Sequence, residues 1–453
     1  MRYGDEMKQR IVVLWCVIGV VISSVFSAQT VQAVDDVSVG IASWVEGNID
    51  RLMEFYVERH RSPELSLNEE DSAEAVATAL RHAGYDVTTG VGGFGVVGVL
   101  KNGNGPTVLI RGDMDALPIT EETGLPFAST VVAERSDGTA VGVMHACGHD
   151  VHMTNLVGTA GALAAAKTHW RGTVVAVGQP AEEIGRGAAA MIEDGFFERF
   201  PKPDYCIALH VNGLAPVGSV GLATGWATAN VDSVDITIFG RGGHGARPHD
   251  SVDPIVIGSQ VVVALQTLVS RRLDPVEGGV VTVGSFHAGS KHNIIPDQAK
   301  LQLTVRSFSD DSRRLLLDGI RDIATLTARA MGSPKDPLVV VAEDQYTPAV
   351  YNDPKLAALA TRVMGDIVGK NGVQSYPPLT IGEDFGRFPR TAQVPGLLYW
   401  LGATDPEVYA RAQVTGEALP NIHSSQFAPD ADATISHGIR TMSAIALELL
   451  APR

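Results

Sequence analysis

Residues 107–118 read Thr-Val-Leu-Ile-Arg-Gly-Asp-Met-Asp-Ala-Leu-Pro, an apolar run that leads directly into a base and two acids. A short apolar run of this kind is typical of a buried strand. Asp113 and Asp115 then follow the carboxyl end of that strand. Because alternate residues of an extended chain share a face, the two carboxylates should point the same way. Taken alone, the segment could equally be a solvated turn.

The same pattern recurs at two more predicted strands. Residues 173–177 form an apolar run followed by Gln-Pro-Ala-Glu-Glu at 179–183, and the run 205–209 ends at His210. Helical stretches rich in Ala and Gly, such as 155–166, alternate with these strands. This alternation predicts an α/β domain whose mostly parallel central sheet is covered by helices. The polar residues should therefore meet at one edge of the sheet.

A different order of elements begins at residue 231. Predicted strands at 231–239, 279–287, 301–307 and 338–342 enclose predicted helices at 254–270 and 309–331. This β-α-β-β-α-β order is the ferredoxin-like split motif. We therefore predict a discontinuous catalytic domain, residues 34–225 and 342–453, interrupted by an inserted ferredoxin-like α+β lid or dimerisation domain at 226–341.

Composition excludes several classes of protein. The 453 residues include 35 Lys and Arg against 51 Asp and Glu, a formal net charge of −16. Nucleic acid is an unexpected partner, because binding to its phosphates depends on cationic contacts. Three cysteines cannot form a disulfide framework, so stability must come from a buried core.

The N-terminus has the pattern of a secretory signal. Arg2, Lys8 and Arg10 precede an apolar run at 11–26, and small residues follow before Val34. The run is shorter than the ~20 residues that a spanning helix needs. We predict a signal peptide at residues 1–33, with an uncleaved anchor as the alternative. The mature protein should be periplasmic or secreted, without stable membrane insertion.

Metal-ligand types are concentrated at residues 145–152, which read His-Ala-Cys-Gly-His-Asp-Val-His. Thiolate and imidazole are ligands that suit zinc and similar ions. The adjacent Glu182 and Glu183 would repel each other in a dry cleft unless one met a cation and the other served as a base. The alternative is an acidic helix start. His210 is either a ligand or a core histidine, whereas Cys206 is expected in the core.

Two Gly-x-Gly-x-x-Gly segments, 90–95 and 240–245, do not have the full context of a dinucleotide site, which is a preceding strand, a following helix and an acid about 20 residues on. The first leads into a strand, and the second follows a strand but leads into Ala-Arg-Pro without the acid. Both are expected to be turns. The second continues into a loop at 242–249 that carries His244, Arg247 and His249. Polar segments also occur at 293–297 and 382–385. None of these segments indicates a function by itself.

As an ordered set, the segments resemble the amidohydrolases of the aminoacylase and carboxypeptidase metallopeptidase family, in the branch of the hippurate and indole-acetyl-amino-acid hydrolases. The matching segments are 60–66, 111–118, 145–152, 179–183, His210, 242–249, 293–297, 383–385 and His423. They extend over nearly the whole predicted mature chain. The Cys-Gly-His and Gln-Pro-Ala-Glu-Glu segments are the most specific.

This resemblance implies two divalent metal ions, zinc first, with nickel, cobalt or manganese as alternatives. It implies that Cys147 bridges the ions as a thiolate. Glu183 and His423 would complete the protein ligands of one ion, and His149 and His210 those of the other.

The resemblance also implies roles beside the metals. Glu182 would be the general base, and Asp115 would orient an imidazole ligand. His244 would stabilise the developing oxyanion from the partner subunit of a homodimer. Asn293, Arg306 and His249 are the candidate donors for a substrate carboxylate, although Arg306 could instead be a surface residue paired with Asp310 or Asp311.

We therefore expect a metal-dependent amidohydrolase that cleaves the amide bond of N-acyl amino acids with metal-activated water. One alternative is a deacetylase or a dipeptidase or carboxypeptidase of the same family, acting on small peptide or cell-wall fragments. Another is a binding module that holds metal without turnover. The binding module would be expected to lack the base, and Glu182 is present.

Overall fold

The computed structural model describes residues 39–134 and 138–450. The predicted signal peptide lies outside these residues.

Eighteen strands and eleven helices are found in the described residues. The strands are β1 Asp86–Val91, β2 Gly95–Asn102, β3 Thr107–Asp113, β4 Val132–Glu134, β5 Ala140–Gly142, β6 Gly172–Gln179, β7 Tyr205–Pro216, β8 Val220–Leu222, β9 Gly225–Trp226, β10 Asn230–Phe239, β11 Gly243–His244, β12 Gly279–Ala288, β13 Ile294–Ile295, β14 Gln298–Ser307, β15 Leu338–Val341, β16 Tyr351–Asn352, β17 Val373–Ser375 and β18 Gly396–Thr404. The helices are α1 (39–61), α2 Glu70–His82, α3 His149–Ala165, α4 Gly187–Glu193, α5 Phe196–Arg199, α6 Pro254–Thr267, α7 Asp310–Ala330, α8 Pro354–Val368, α9 Arg387–Ala392, α10 Pro406–Thr415 and α11 Ala431–Leu450.

An eight-stranded sheet in the order β1-β2-β6-β3-β7-β18-β8-β17 forms the centre of the molecule. Its middle strands β6, β3, β7 and β18 run parallel, whereas β1 and β2 pair antiparallel at one side. The middle strands are apolar and buried on both faces, as expected of parallel strands beneath helices. The predicted α/β fold with a mostly parallel sheet is confirmed.

Helices cover both faces of this sheet. The larger core lies between one face and helices that include α2, α3, α8 and α11. Small residues allow α3 and α11 to approach closely, since a Cβ at Gly158 would lie 2.2 Å from Ile439 Cδ1. The smaller core, on the other face, contains Phe196, Phe385 and Phe388. Cys206 is fully buried in this second core, as predicted.

The insert forms a four-stranded antiparallel sheet in the order β12-β14-β10-β15. Along β14 buried and more exposed residues alternate, and the buried face packs against α6 and α7. This sheet lies within the predicted insert, at residues 230–341, and has the predicted order of elements.

The start of one predicted helix needed correction, and one predicted turn was found. Helix α3 begins at His149 rather than at residue 155, because Gly148 adopts φ 79° and turns the chain directly into the first helical turn. The segment Gly90–Gly95 is the turn between β1 and β2, in agreement with the prediction.

Candidate metal centre

Strand ends and one helix start bring the predicted ligands together. β3 leads into Asp115, β6 leads into Glu182 and Glu183, and His210 lies on β7. Because these strands are parallel neighbours, their carboxyl ends lie at one edge of the sheet. Cys147 and the first turn of α3 cover the same edge.

The thiol of Cys147 lies between two imidazoles. Its Sγ atom is 3.4 Å from His210 Nε2 and 3.2 Å from His423 Nε2. His423 is 3.6 Å from Glu183 Oε2 and is the most exposed member, with 53 % of its side chain accessible. A backbone bond from His423 N to Ala146 O, 2.7 Å, ties this distant part of the chain to the cysteine loop.

His149 occupies the other half of the centre. Its Nε2 atom is 3.8 Å from Glu183 Oε1 and 3.9 Å from Glu182 Oε2. Its Nδ1 atom bonds to the backbone carbonyl of Asp115 at 2.7 Å. Glu183 therefore faces His149 with one oxygen and His423 with the other.

Asp115 orients more than an imidazole. The family resemblance implies that its carboxylate orients an imidazole, and Asp115 Oδ1 lies 3.4 Å from His149 Nδ1, although the closer contact to His149 comes from the Asp115 backbone carbonyl. The carboxylate also accepts hydrogen bonds from the backbone N–H groups of Glu182, at 3.1 Å, and Glu183, at 3.0 Å. Ser66 donates a third, at 2.6 Å. Asp115 thus shapes the turn that carries both glutamates.

The donor set fits divalent metal ions. His149 Nε2 and Glu183 Oε1 are buried without a hydrogen-bond partner in the described chain. Burial opposes a charged imidazole, yet Asp113 and Asp115 raise the pKa of His149 to about 10. Burial raises the pKa of Glu183 to about 7 and that of the Cys147 thiol well above its usual range. Buried carboxylates this close together need nearby cations to remain charged. A metal ion bound here would also displace the proton of the Cys147 thiol.

Sequence reasoning did not assign a role to a second layer of buried charges beneath the ligands. Arg111 donates to Asp113 at 2.5 Å and to Glu383 at 2.8 Å, and Asp384 lies 3.3 Å away. Asp113 in turn bonds to His152 Nδ1 at 2.6 Å. The sequence drew attention to the segments that contain these residues, 107–118, 145–152 and 382–385, but not to their pairing. Arg111 and Glu383 are distant along the chain, so the sequence could not pair them.

The candidate residues of the insert do not lie together. His244 is exposed on β11, where its strand partner is Ile294 of β13, and Asn293 directly precedes Ile294. His249 is also exposed and lies 3.6 Å from Asp250. These residues are near the start of β14 because Gly242 N bonds to Asp297 Oδ1 at 2.8 Å.

Arg306 lies at the opposite end of β14. Eight residues separate it from Gln298, which corresponds to about 26 Å of extended chain. Its strand partner Val231 faces Gly382, where a Cβ would lie 2.8 Å from Val231 Cγ2. Arg306 therefore lies at the end of the four-stranded sheet β12-β14-β10-β15 that adjoins residues 382–383.

The surface ion pair considered for Arg306 is wrong. Asp310 pairs with Arg390 at 2.6 Å, and Asp311 pairs with Arg314 at 3.3 Å. Arg306 forms no ion pair with any residue in the described part of the chain. Its guanidinium is half-buried and remains available to another anion.

Residues 109–430 match the model of peptidase family M20/M25/M40. A hippurate hydrolase from Campylobacter jejuni is 39% identical over 331 residues, covering 73% of this chain and 82% of that protein. Thermostable carboxypeptidase 2 from Saccharolobus solfataricus is 36% identical over 377 residues, covering 82% and 89%. The crystal structure of a dinuclear metal-binding peptidase from Bacillus subtilis superposes with a TM-score of 0.71 and 28% identity, covering 89% and 99%.

Proposed function

The chain belongs to peptidase family M20/M25/M40, and on that premise we propose that its centre cleaves N-acyl amino acids between the acyl group and the amino acid. The protein is a metal-dependent amide hydrolase. The observation that carries the assignment is the pair of adjacent glutamates at the centre. Glu183 reaches an imidazole with each oxygen, while Glu182 lies beside His149.

Two divalent ions, with zinc as our first expectation, would be held by Cys147, His149, Glu183, His210 and His423. Bound there, they would supply a water of lowered pKa and a polarised amide carbonyl. Glu182 accepts the proton of the attacking water and returns it to the leaving nitrogen. Asp115 keeps Glu182 and Glu183 in place through their backbone N–H groups.

We propose a homodimer in which each site uses two lids. His244 and Asn293 lie beyond the Gln298 end of β14, and about 26 Å of extended chain separates Gln298 from Arg306, so we infer that one insert does not present both groups to one substrate. Arg306 adjoins the centre of its own chain. His244, Asn293 and His249 would therefore come from the partner.

The exposed surface formed by β12 and α6 of the insert supports the proposed homodimer. β12 is an edge strand, and Phe286 on it is 36% exposed. On α6, Val256 is 47% and Val263 is 66% exposed. The helical stretch Pro254–Arg272 is apolar enough to span a membrane by composition alone, with 33% of its window buried. An exposed edge strand beside an apolar helix face is a surface suited to a second copy.

The substrate is proposed to have a free α-carboxylate. Arg306 is a half-buried guanidinium without an ion-pair partner in the described chain, and guanidinium binds carboxylate in a bidentate manner. The Campylobacter relative is named for hippurate, which carries such a carboxylate.

The test compares kcat/KM for N-benzoyl and N-acetyl amino acids with their carboxamide and methyl-ester analogues, using metal-loaded protein. We expect the free acids to be hydrolysed much faster. Arg306→Gln should remove most of that preference, whereas Arg314→Gln, an exposed arginine of the same insert, should keep it. Comparable rates on free acid and carboxamide would indicate a general amidase. Faster cleavage of dipeptides than of N-acyl amino acids would indicate the carboxypeptidase alternative.

We also propose export to the periplasm or the medium, supported by the pattern of residues 1–33. N-terminal sequencing of the exported protein should begin near Val34.

A further inference from the structure

Helices α1 and α2 form the walls of a groove that does not include any of the proposed metal ligands. Its wider part is a cavity of about 450 Å³ lined by Arg51, Phe55 and Arg59 of α1, one residue from each successive turn. The facing wall is α2, from Asp71 to His82. A second cavity of about 260 Å³ continues beside Trp44 and shares Phe55.

Arg59 is an unpaired buried charge in this groove. Only 7% of the residue is exposed, and its Nε and Nη1 atoms have no hydrogen-bond partner in the described chain. No ion pair involves it among residues 39–134 and 138–450. A buried cation without a partner is costly, so an anionic group is expected to reach it.

An unpaired acid lines the same cavity. Asp71 is exposed on the α2 wall, and its carboxylate forms no ion pair with Arg59. The other acid, Glu74, already accepts from Arg81 at 2.8 Å and from Thr78 at 3.1 Å. Among the described residues, the cavity therefore presents two guanidinium groups without an ion pair, buried Arg59 and exposed Arg51, the latter bonded to Asn48 at 3.2 Å, and one carboxylate without an ion pair, that of Asp71.

We propose that this cavity binds a free α-amino acid. Its α-carboxylate would bond to Arg59 and its α-ammonium to Asp71. An apolar side chain would lie against Phe55, Ala75 and Ala79, which line the cavity between them. Under the proposed function a free amino acid is also a product of the enzyme, and this link rests on that proposal. The binding of the amino acid in this cavity does not depend on it.

A zwitterion suits this lining better than a simple anion or cation does. A lone carboxylate would meet Arg59 but would be repelled by Asp71. A lone ammonium would leave Arg59 unpaired. A ligand that carries both charges can pair with Arg59 on one wall and with Asp71 on the other.

The test measures the melting temperature and equilibrium dialysis of metal-loaded protein with L-leucine. L-leucine should raise the melting temperature, whereas 4-methylpentanoate, which lacks the ammonium, and leucinamide, which lacks the carboxylate, should do so far less. Arg59→Leu and Asp71→Asn should each weaken L-leucine binding about tenfold or more, because each removes a charge-assisted bond. Arg61→Leu, the same charge change at an exposed residue outside the cavity, should bind as the wild type does.

Hydrolysis of an N-acyl amino acid is measured in the same samples to separate this site from the metal centre. We expect kcat/KM within about twofold of the wild type for Arg59→Leu, Asp71→Asn and Arg61→Leu. Binding of L-leucine should persist in Glu182→Gln even when hydrolysis is lost. Failure of the proposed function would then appear as absent hydrolysis with intact L-leucine binding.

Three outcomes would overturn the proposal. L-leucine binding that is unchanged by Arg59→Leu and Asp71→Asn would place the ligand elsewhere. An equal effect of 4-methylpentanoate would show a site for simple anions. The third outcome combines two results. If L-leucine has no effect on the wild type, and Asp71→Asn without ligand melts at a lower temperature than the wild type, then Arg59 pairs with Asp71 in solution. If Arg59→Leu does not fold, Asp71→Asn decides between these outcomes.

Discussion

Glu182 and Glu183 are neighbours in the chain but occupy different surroundings. Burial, followed by repulsion from Glu383 and Glu183, raises the pKa of Glu182 well above its ordinary value. Burial raises the pKa of Glu183 to about 7, and His149 opposes that rise, while the other Glu183 oxygen lies 3.6 Å from His423. Asp115 fixes the turn that carries both residues by accepting from their backbone N–H groups. From this turn Glu182 and Glu183 lie 3.9 and 3.8 Å from His149 Nε2, and of the two Glu183 also lies near His423.

This difference predicts distinct effects of two matched substitutions. Glu182→Gln should retain metal and lower kcat by roughly 10² to 10⁴, the range for an acid-base residue. Glu183→Gln should lower metal content. Elemental analysis of the purified variants, alongside kinetics, checks both. Equal loss of metal in the two variants would contradict the assignment.

His60 is a buried imidazole that is not among the proposed metal ligands and lies between two acids. Its Nδ1 atom is 2.7 Å from Asp150 and its Nε2 atom is 3.1 Å from Glu121. Burial alone would lower its pKa, but the two acids raise the pKa of His60 to about 9. The imidazolium thus joins α1 to the start of α3 and to the loop at Glu121.

The raised pKa predicts how stability varies with pH. A group whose pKa is higher in the folded state stabilises fully below its unfolded value, about 6.5 for histidine, and loses that contribution as the pH rises through 9. The melting-temperature difference between wild type and His60→Gln should therefore be largest at pH 6 and shrink by pH 10. His169→Gln, an exposed control, should show no such trend. A difference that grows with pH would refute the charge assignment.

At the scale of elements, the start of α3 determines how two proposed metal ligands are placed. Gly148 separates the ligands Cys147 and His149, and its φ of 79° lies in the left-handed region. A Cβ at this position would lie 2.5 Å from Val211 Cγ2. The glycine therefore allows both the turn and the close approach to β7 that brings Cys147 beside His210.

Gly148→Ala should destabilise the protein by about 1–3 kcal/mol from overpacking, beyond the strain of the positive φ, and should reduce bound metal. Gly84→Ala is the matched control, because Gly84 has a φ of 85° but nothing within 4 Å of the added Cβ. Denaturant unfolding and metal content measure the two effects. Equal destabilisation with equal metal content would show that the contact with Val211 is unimportant.

At the scale of the whole molecule, the insert carries its candidate residues at two separate places. Arg306 lies at the end of β14 whose strand partner Val231 adjoins Gly382, and His244 lies in the β11–β13 pair, near the other end of β14. In the proposed homodimer each centre would be completed by the β11–β13 pair of the partner's insert. Catalysis would then require the dimer even though all proposed metal ligands come from one chain.

Mixed dimers test this arrangement. His244→Ala and Glu182→Gln should each be nearly inactive, but a mixed dimer contains one site with both wild-type residues if His244 acts across the interface. Activity should therefore recover to roughly a quarter to a half of wild type per mixed dimer. Mixing two different Glu182 variants, Glu182→Gln and Glu182→Ala, is the control and should give no recovery. Absence of recovery in verified mixed dimers would show that His244 acts within its own chain or not at all.

Much of the architecture follows from the sequence because its signals are local. Four of the five proposed ligands lie in segments with such a signal, whereas His423 was proposed only from the family resemblance. An apolar run that ends in acids predicts a strand end, and parallel strands share an edge, so residues 113–115 and 179–183 could be placed together. His210 was placed with them from the same pattern, although its strand β7 continues to Pro216. The density of ligand types at 145–152 is likewise visible without a structure.

Only the tertiary structure could decide which distant charges meet. Arg111 contacts Glu383 across 272 residues, and Asp115 controls the turn at Glu182 across 67. The unpaired state of Arg59, the separation of Arg306 from His244 and the close contact at Gly148 depend on the same long-range packing. Periodicity and local composition determine which face of an element is apolar, but they carry no information about which distant group lies opposite a buried charge, and that pairing sets its energy.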